Sequence, residues 1–179
     1  MANQKSRSDE KPDDVITSLT RRYGEKYPGV DNLAIEFHLR MAAAAAARSS
    51  ASARFFRSRG MERTAGRYGV LRVLFFAPEK RMALSDVSSD MGVTAANMTA
   101  LVDGLEKDGL VVRVPHPTDR RITWVRLTPR GEEVCVDLVP AMANLMAQLT
   151  KGFSEDEKSS LIDAMKRLRE NAEAGFREE

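Results

Sequence analysis

The chain has 179 residues, of which 42% are hydrophobic, and a formal net charge of +2. That is enough apolar material for one core with some left over for an interface, while so small a net charge names no partner by itself. The single cysteine, Cys135, excludes an intramolecular disulfide framework and a Cys-rich zinc site; with only His38 and His116 besides, no ligand-pair spacing implies a metal or a cofactor.

The N-terminus is polar and lacks the apolar stretch of a secretory signal. Residues 1–30 read as an extension, partly disordered by composition, with a short helix through Tyr23. Asp13 or Asp14 is its expected cap, Val15, Ile16 and Leu19 share one side, and Gly24, Pro28 and Gly29 break the chain. Asp31 then caps a long helix to about Arg59, with Leu33, Phe37, Met41, Ala44 and Ala45 at helical spacing. The alanines of 42–47 allow another helix to approach closely. Bracketed by Arg40 and Arg48, this run is too short for a bilayer, which needs about 20 residues, so a cytoplasmic location is expected.

A second helix is expected from Thr64 to Ala77, ended by Pro78. Ser85 is the expected cap of a short helix through Met91, with Leu84, Val87 and Met91 inward. Gly92 suits a left-handed turn, Val93 plugs the core, and Thr94 caps the next helix, which runs to Asp108. This is the helix–turn–helix pattern. In its second helix Met98, Leu101, Val102 and Leu105 form the buried stripe. The opposite side of the first two turns carries Ala96, Asn97, Thr99 and Ala100, small and polar enough to enter a major groove.

Residues 113–128, RVPHPTDRRITWVRLT, carry the densest chemistry. Two apolar, β-branched runs, Leu110 to Val114 and Ile122 to Leu127, flank a Pro115–Asp119 hinge, the pattern of a long-loop hairpin. Its tip bears Arg120 and Arg121 directly after Asp119. Across 113–130 there are five arginines and one aspartate, whereas residues 131–179 hold six basic and eleven acidic groups. Guanidinium groups on a stiff ribbon suit the backbone or narrow groove of a nucleic acid. Arg113 and Arg126 either face each other across the ribbon or touch phosphates. Thr128 and Pro129 then open a long helix to about Lys151 through Val134, Leu138, Met142, Leu145 and Leu149. Ser154 and Glu157 form a capping box for a last helix bearing Leu161, Ile162, Met165 and Leu168. The terminal helices hold more apolar surface than one small module needs, which predicts a homodimer interface built from both ends of the chain.

In order and content, the long first helix, LSDVSSDMGVTAANMTALVDGLEKDGLV, DRR and WVRLTPRG resemble the MarR family of winged-helix regulators over residues of about 33–170. The resemblance implies a mainly α fold: a winged helix–turn–helix of residues 64–128 with a small β-wing, and a helical dimerisation region from 31–63 and 129–179. It implies a homodimer on a pseudo-palindromic double-stranded DNA operator, usually repressing transcription until a small aromatic or phenolic anion releases it. Carried over by residue, Arg121 is the wing arginine, Arg120 its neighbour and Asp119 its support, with Thr94, Ala96, Asn97 and Thr99 toward bases or phosphates. His38, Arg72 and Phe76 are the expected effector contacts. Many relatives have arginine where Ala100 and Gly104 stand, which shifts expected readout toward the wing. A second reading is a thiol-switched regulator using Cys135, although acidic Glu132, Glu133 and Asp137 disfavour a reactive thiolate. No nucleophile–base pair, metal constellation or phosphate loop suggests an enzyme.

Overall fold

The computed structural model describes residues 12–60, 65–116, 118–119 and 121–175. Helix α1 spans Pro12–Lys26 and α2 spans Asn32–Arg57, joined by a turn at Gly29, whose φ is +98°. Asp31 caps α2 as expected, accepting from the Ala34 backbone N–H at 3.0 Å. Helix α1 differs from its sequence reading in three ways. It begins upstream of Asp13 and Asp14, it runs through Gly24, and it presents Val15 and Leu19 outward. The side against α2 is Ile16, Thr20 and Gly24, spaced i, i+4, i+8. Gly24 is a contact position rather than a breaker, because a Cβ there would run into the Asn32 side chain.

Helix α3 (Ala65–Phe76) is followed by a single 3₁₀ turn, Pro78–Lys80, in which Glu79 and Lys80 hold φ of +51° and +53°. Such angles cost a side-chain-bearing residue energy. Lys80 is held by its ammonium, which donates to the Phe75 carbonyl at 2.5 Å and sits 4.5 Å from that ring. The turn feeds β1, Arg81–Ala83, a strand the sequence reading lacks; three residues are too few for an alternation to show. Helix α4 (Leu84–Met91) follows at once. Its N-cap is Ala83, with no side-chain bond, rather than Ser85, because the strand runs straight into the helix.

Helix α5 spans Ala95–Lys107, β2 Val111–Pro115 and β3 Thr123–Leu127. The antiparallel sheet has the order β1-β3-β2, with Val125 opposite both Met82 and Arg113. Helix α6 (Pro129–Leu149) starts on the Thr128 cap, whose hydroxyl accepts from the Gly131 N–H at 3.0 Å. Helix α7 (Glu155–Glu173) starts on the full Ser154–Glu157 capping box.

One core gathers Val70, Leu71 and Leu74 of α3, Val87 of α4, Met98, Val102 and Leu105 of α5, Val125 and Leu127 of β3, and Cys135 of α6. A second cluster, Phe56, Tyr68, Leu138 and Met142, fastens the long helices to α3. No residue of α7 is buried, and Leu161, Ile162 and Met165 stay exposed, as do Leu33 and Phe37 of α2. Among the described residues no helix is long and apolar enough to cross a membrane. The whole is a mainly helical winged helix–turn–helix with a small antiparallel sheet.

Candidate nucleic-acid interface

The turn between α4 and α5 is set by local chemistry. Gly92 takes the left-handed conformation, φ +61° and ψ 35°, and closes α4 with its N–H on the Ser89 carbonyl. The Ser88 hydroxyl donates to the Val93 carbonyl at 2.7 Å, which fixes the loop from the helix side. Thr94 then caps α5, accepting from the Asn97 N–H at 3.3 Å. These bonds orient α5 so that Met98, Val102 and Leu105 are buried and Ala96, Asn97, Thr99 and Ala100 are all exposed. The Thr99 hydroxyl donates back to the Ala95 carbonyl at 2.9 Å. Its proton is engaged, so what it offers outward is a methyl group and an oxygen acceptor.

The ribbon is built around Asp119. Its carboxylate accepts from Arg121 three times, from the backbone N–H at 2.9 Å, Nε at 3.1 Å and Nη2 at 3.0 Å. These bonds hold the carboxyl below the usual aspartate range, with Arg121 correspondingly raised. The Arg121 side chain is 90% exposed, so it is oriented but not covered. His116 organises the same turn. Its Nδ1 accepts from the backbone N–H groups of Thr118 and Asp119, while its ring meets Trp124 edge-on at 4.7 Å. Arg81 stacks on Trp124 at 3.9 Å. Arg120 lies outside the described residues.

Between α4, α5 and the ribbon lies an open concavity of about 430 Å³ to which Thr99, Ser85, Ser88 and Arg121 contribute. Recognition helix and wing tip therefore share one surface. Two arginines hold α5 from either side. Arg113 of β2 donates to Glu106 at 2.5 Å and to Asp103 at 2.7 Å, and Arg67 of α3 donates to Asp108 at 2.7 Å. Arg113 consequently neither faces Arg126 nor points at solvent; its opposite neighbour is Val125, while Arg126 is exposed. Asp103 and Glu106 of α5 and its C-cap Asp108, which would otherwise repel a polyanion, are each paired with an arginine.

Of the expected effector contacts, Arg72 and Phe76 share a shallow concavity of about 510 Å³ with Val73, Met82 and Asp90. His38 is exposed on α2, stacked edge-on against Phe37 at 5.5 Å, and is not among those lining residues. A second cavity, of about 480 Å³, lies where α3, the end of α5 and the start of α6 meet. Arg67, Lys107, Asp108 and Arg130 ring it over an apolar floor that includes Tyr68, Leu71 and Leu138. Sequence reasoning missed these cations because they come from three elements with no shared spacing. Cys135 is fully buried, its Sγ 3.8 Å from the Leu71 carbonyl. Burial first, then Glu132, pushes its thiol up to about 11. Among the described residues no cluster of three or more His, Cys, Asp or Glu could hold a metal.

Residues 64–123 match the model of the MarR family. The HTH-type transcriptional repressor YetL of Bacillus subtilis is 26% identical over 140 residues, 78% of this chain and 83% of that protein. The transcriptional regulator YkoM of the same organism is 32% identical over 101 residues, 56% of this chain but only 64% of its own length. A MarR family transcriptional regulator from Streptomyces coelicolor, solved in complex with DNA, superposes with a TM-score of 0.68. It shares 25% identity, with 74% of this chain and 86% of that one covered. A mutant of the MarR protein of Escherichia coli complexed with operator DNA shares the fold, with a TM-score of 0.64 over 82% of this chain and 96% of that one at 22% identity. These relatives are regulators rather than enzymes.

Proposed function

Because this chain belongs to the MarR family of DNA-binding transcriptional regulators, we propose that it works as a cytoplasmic homodimeric repressor released by a small aromatic or phenolic anion. Each protomer lays α5 in a major groove and the β2–β3 ribbon over the adjacent minor groove. Thr94, Ala96, Asn97 and Thr99 meet bases or phosphates, and Arg121, supported by Asp119 and next to Arg120, enters the minor groove. The twofold is made by a helical region of residues 31–63 and 129–179, with 64–128 as the reading head. Half-sites then lie roughly 34–36 Å apart, one helical turn.

One observation carries this reading: Arg121, 90% exposed yet held in three hydrogen bonds by Asp119, stands on the same surface as the uncovered polar side of α5. Such a cation is pre-ordered for a phosphate-lined groove, so little side-chain entropy is lost on binding. Arg121→Ala should weaken binding to duplexes from the protein's own promoter region by about 1–3 kcal/mol, measured by fluorescence anisotropy. Unchanged affinity would sink the assignment. With about three to four phosphates neutralised per protomer, the log–log salt slope should be on the order of −6.

YetL is named a repressor, which favours repression over activation here. The thiol-switched alternative has little support, since Cys135 is buried and its thiol is pushed up rather than activated.

A further inference from the structure

We propose that His116 is a positioning residue for DNA binding: seated on Trp124, its Nδ1 gathers the Thr118 and Asp119 N–H groups and so holds the wing tip in the conformation that lets Asp119 aim Arg121. This rests on the reading of Arg121 as the minor-groove contact and names what pre-orders it.

The ribbon needs such a part because its own ladder stops short of the tip. Strands β2 and β3 pair as far as Pro115 and Thr123. Beyond them the backbone closes twice, His116 N–H to the Ile122 carbonyl at 3.3 Å and Ile122 N–H to the Asp119 carbonyl at 3.1 Å. Pro117 has no N–H to give. The next two N–H groups, of Thr118 and Asp119, both end on His116 Nδ1, at 3.3 and 3.1 Å. The imidazole does here what an asparagine side chain does in an Asx turn, accepting from the backbone two residues on. An accepting Nδ1 carries no proton, so the ring is the neutral form with its hydrogen on Nε2.

The ring is in turn fixed from the sheet. It meets Trp124 edge-on at 4.7 Å, and Arg81 of β1 stacks on that indole at 3.9 Å while pairing with Glu79. Strand β1 thus reaches the tip without hydrogen-bonding to it. Arg81 packs on Trp124 and Trp124 on His116, and His116 sets the N–H of the residue whose carboxylate holds Arg121. That carboxylate accepts from the Arg121 N–H, Nε and Nη2 together only while positions 119 and 121 keep their present relation. Among the described residues Asp119 is the only hydrogen-bond partner of the Arg121 side chain, which is 90% exposed. Freeing Thr118 and Asp119 from Nδ1 therefore lets the guanidinium wander. An arginine ordered before association loses less side-chain entropy on entering the groove.

The test is a set of substitutions at position 116 in the full chain, read on DNA selected from random sequence by the wild type. His116→Phe keeps a ring against Trp124 and removes the acceptor; His116→Asn removes the ring and keeps an oxygen at the place of Nδ1. His116→Phe is expected to weaken DNA binding about threefold to tenfold, roughly the cost of ordering one long side chain on association, and His116→Asn to stay within about twofold of wild type. His116→Gln, whose oxygen falls at the place of Nε2, should behave as His116→Phe does and replaces it if that variant does not fold. In an Arg121→Ala background none of these substitutions should lower affinity further. Heteronuclear NOE on the Arg121 Nε–H of the DNA-free protein should show it ordered in the wild type and in His116→Asn, and mobile in His116→Phe. The proposal is overturned if His116→Phe binds DNA as the wild type does, or if His116→Asn loses as much as His116→Phe. It is also overturned if His116→Phe costs as much with Arg121→Ala as without it, which is what a merely structural histidine would do. Should Arg121→Ala leave DNA affinity unchanged, the minor-groove assignment fails instead, while the ordering of Arg121 in the His116 variants still decides what His116 does.

Discussion

Arg113 shows how a charge that looks like a DNA contact can be used internally. It spans from β2 to Asp103 and Glu106 on α5, and its backbone N–H also donates to Glu106 at 3.1 Å. The pairs are partly exposed, so their contribution to stability is modest, on the order of 1 kcal/mol or less. Their larger effect is to tie the wing to α5 and to offset two negative charges on the helix proposed to meet DNA. Arg113→Ala is therefore expected to lower DNA affinity about tenfold with little change in melting temperature. Adding Asp103→Asn and Glu106→Gln should recover part of the loss, and a double-mutant cycle on DNA affinity checks the coupling. Cys135 behaves in the opposite sense, as a core residue. Its folded thiol is raised to about 11 from an ordinary 9.0, so the ionised form is disfavoured by folding. Its stabilising contribution is complete below pH 9.0 and declines as pH rises through about 11. Iodoacetamide should therefore modify the native protein only as fast as it unfolds. Fast labelling of native protein at neutral pH would revive the thiol switch.

At the scale of elements, the junction of α5, β2 and α6 is held by backbone contacts at close range. The Thr128 N–H donates to the Leu110 carbonyl at 3.0 Å and the Thr128 hydroxyl to that of Gly109 at 2.7 Å. Gly131, in the first turn of α6, lies so close that a Cβ would overlap the Leu110 carbonyl oxygen, which is backbone and cannot swing aside. Gly131→Ala should accordingly cost about 1–3 kcal/mol in urea denaturation despite the better helix propensity of alanine. Thr94→Ala removes the cap of α5 and should cost about 1 kcal/mol by the same measurement. Thr94 also begins the helix proposed to enter the groove, so DNA affinity should fall with it.

For the whole molecule, the question is what covers the apolar surface left open at both ends. Val15, Leu19 and Tyr23 of α1, Leu33 and Phe37 of α2, and Leu161, Ile162 and Met165 of α7 are all exposed in one protomer. Exposed apolar surface on that scale is costly in water and is most simply buried by a second copy. Leu161→Asp with Ile162→Asp is expected to yield monomers in analytical ultracentrifugation. The winged helix should stay folded, because α7 contributes no buried residue. Its DNA-binding salt slope should fall to about half, since each protomer then acts alone. Dimers that survived this double substitution would place the interface elsewhere.

What the sequence determined by itself is what short-range chemistry controls. The caps at Asp31, Thr94, Thr128 and Ser154, the left-handed Gly92 and the Met98–Val102–Leu105 stripe each depend on residues within a few positions, so they are legible along the chain. The order of those signals was enough to recognise a winged helix with an arginine at its tip. Tertiary structure alone decided whatever joins distant positions. It added the three-residue β1, turned Ile16, Thr20 and Gly24 of α1 toward α2, tied Arg113 to the acids of α5 and Arg67 to its C-cap Asp108, and placed Arg72 and Phe76 on one concavity. Local spacing carries no record of such contacts, because a charge finds its partner only after packing has fixed which elements are neighbours.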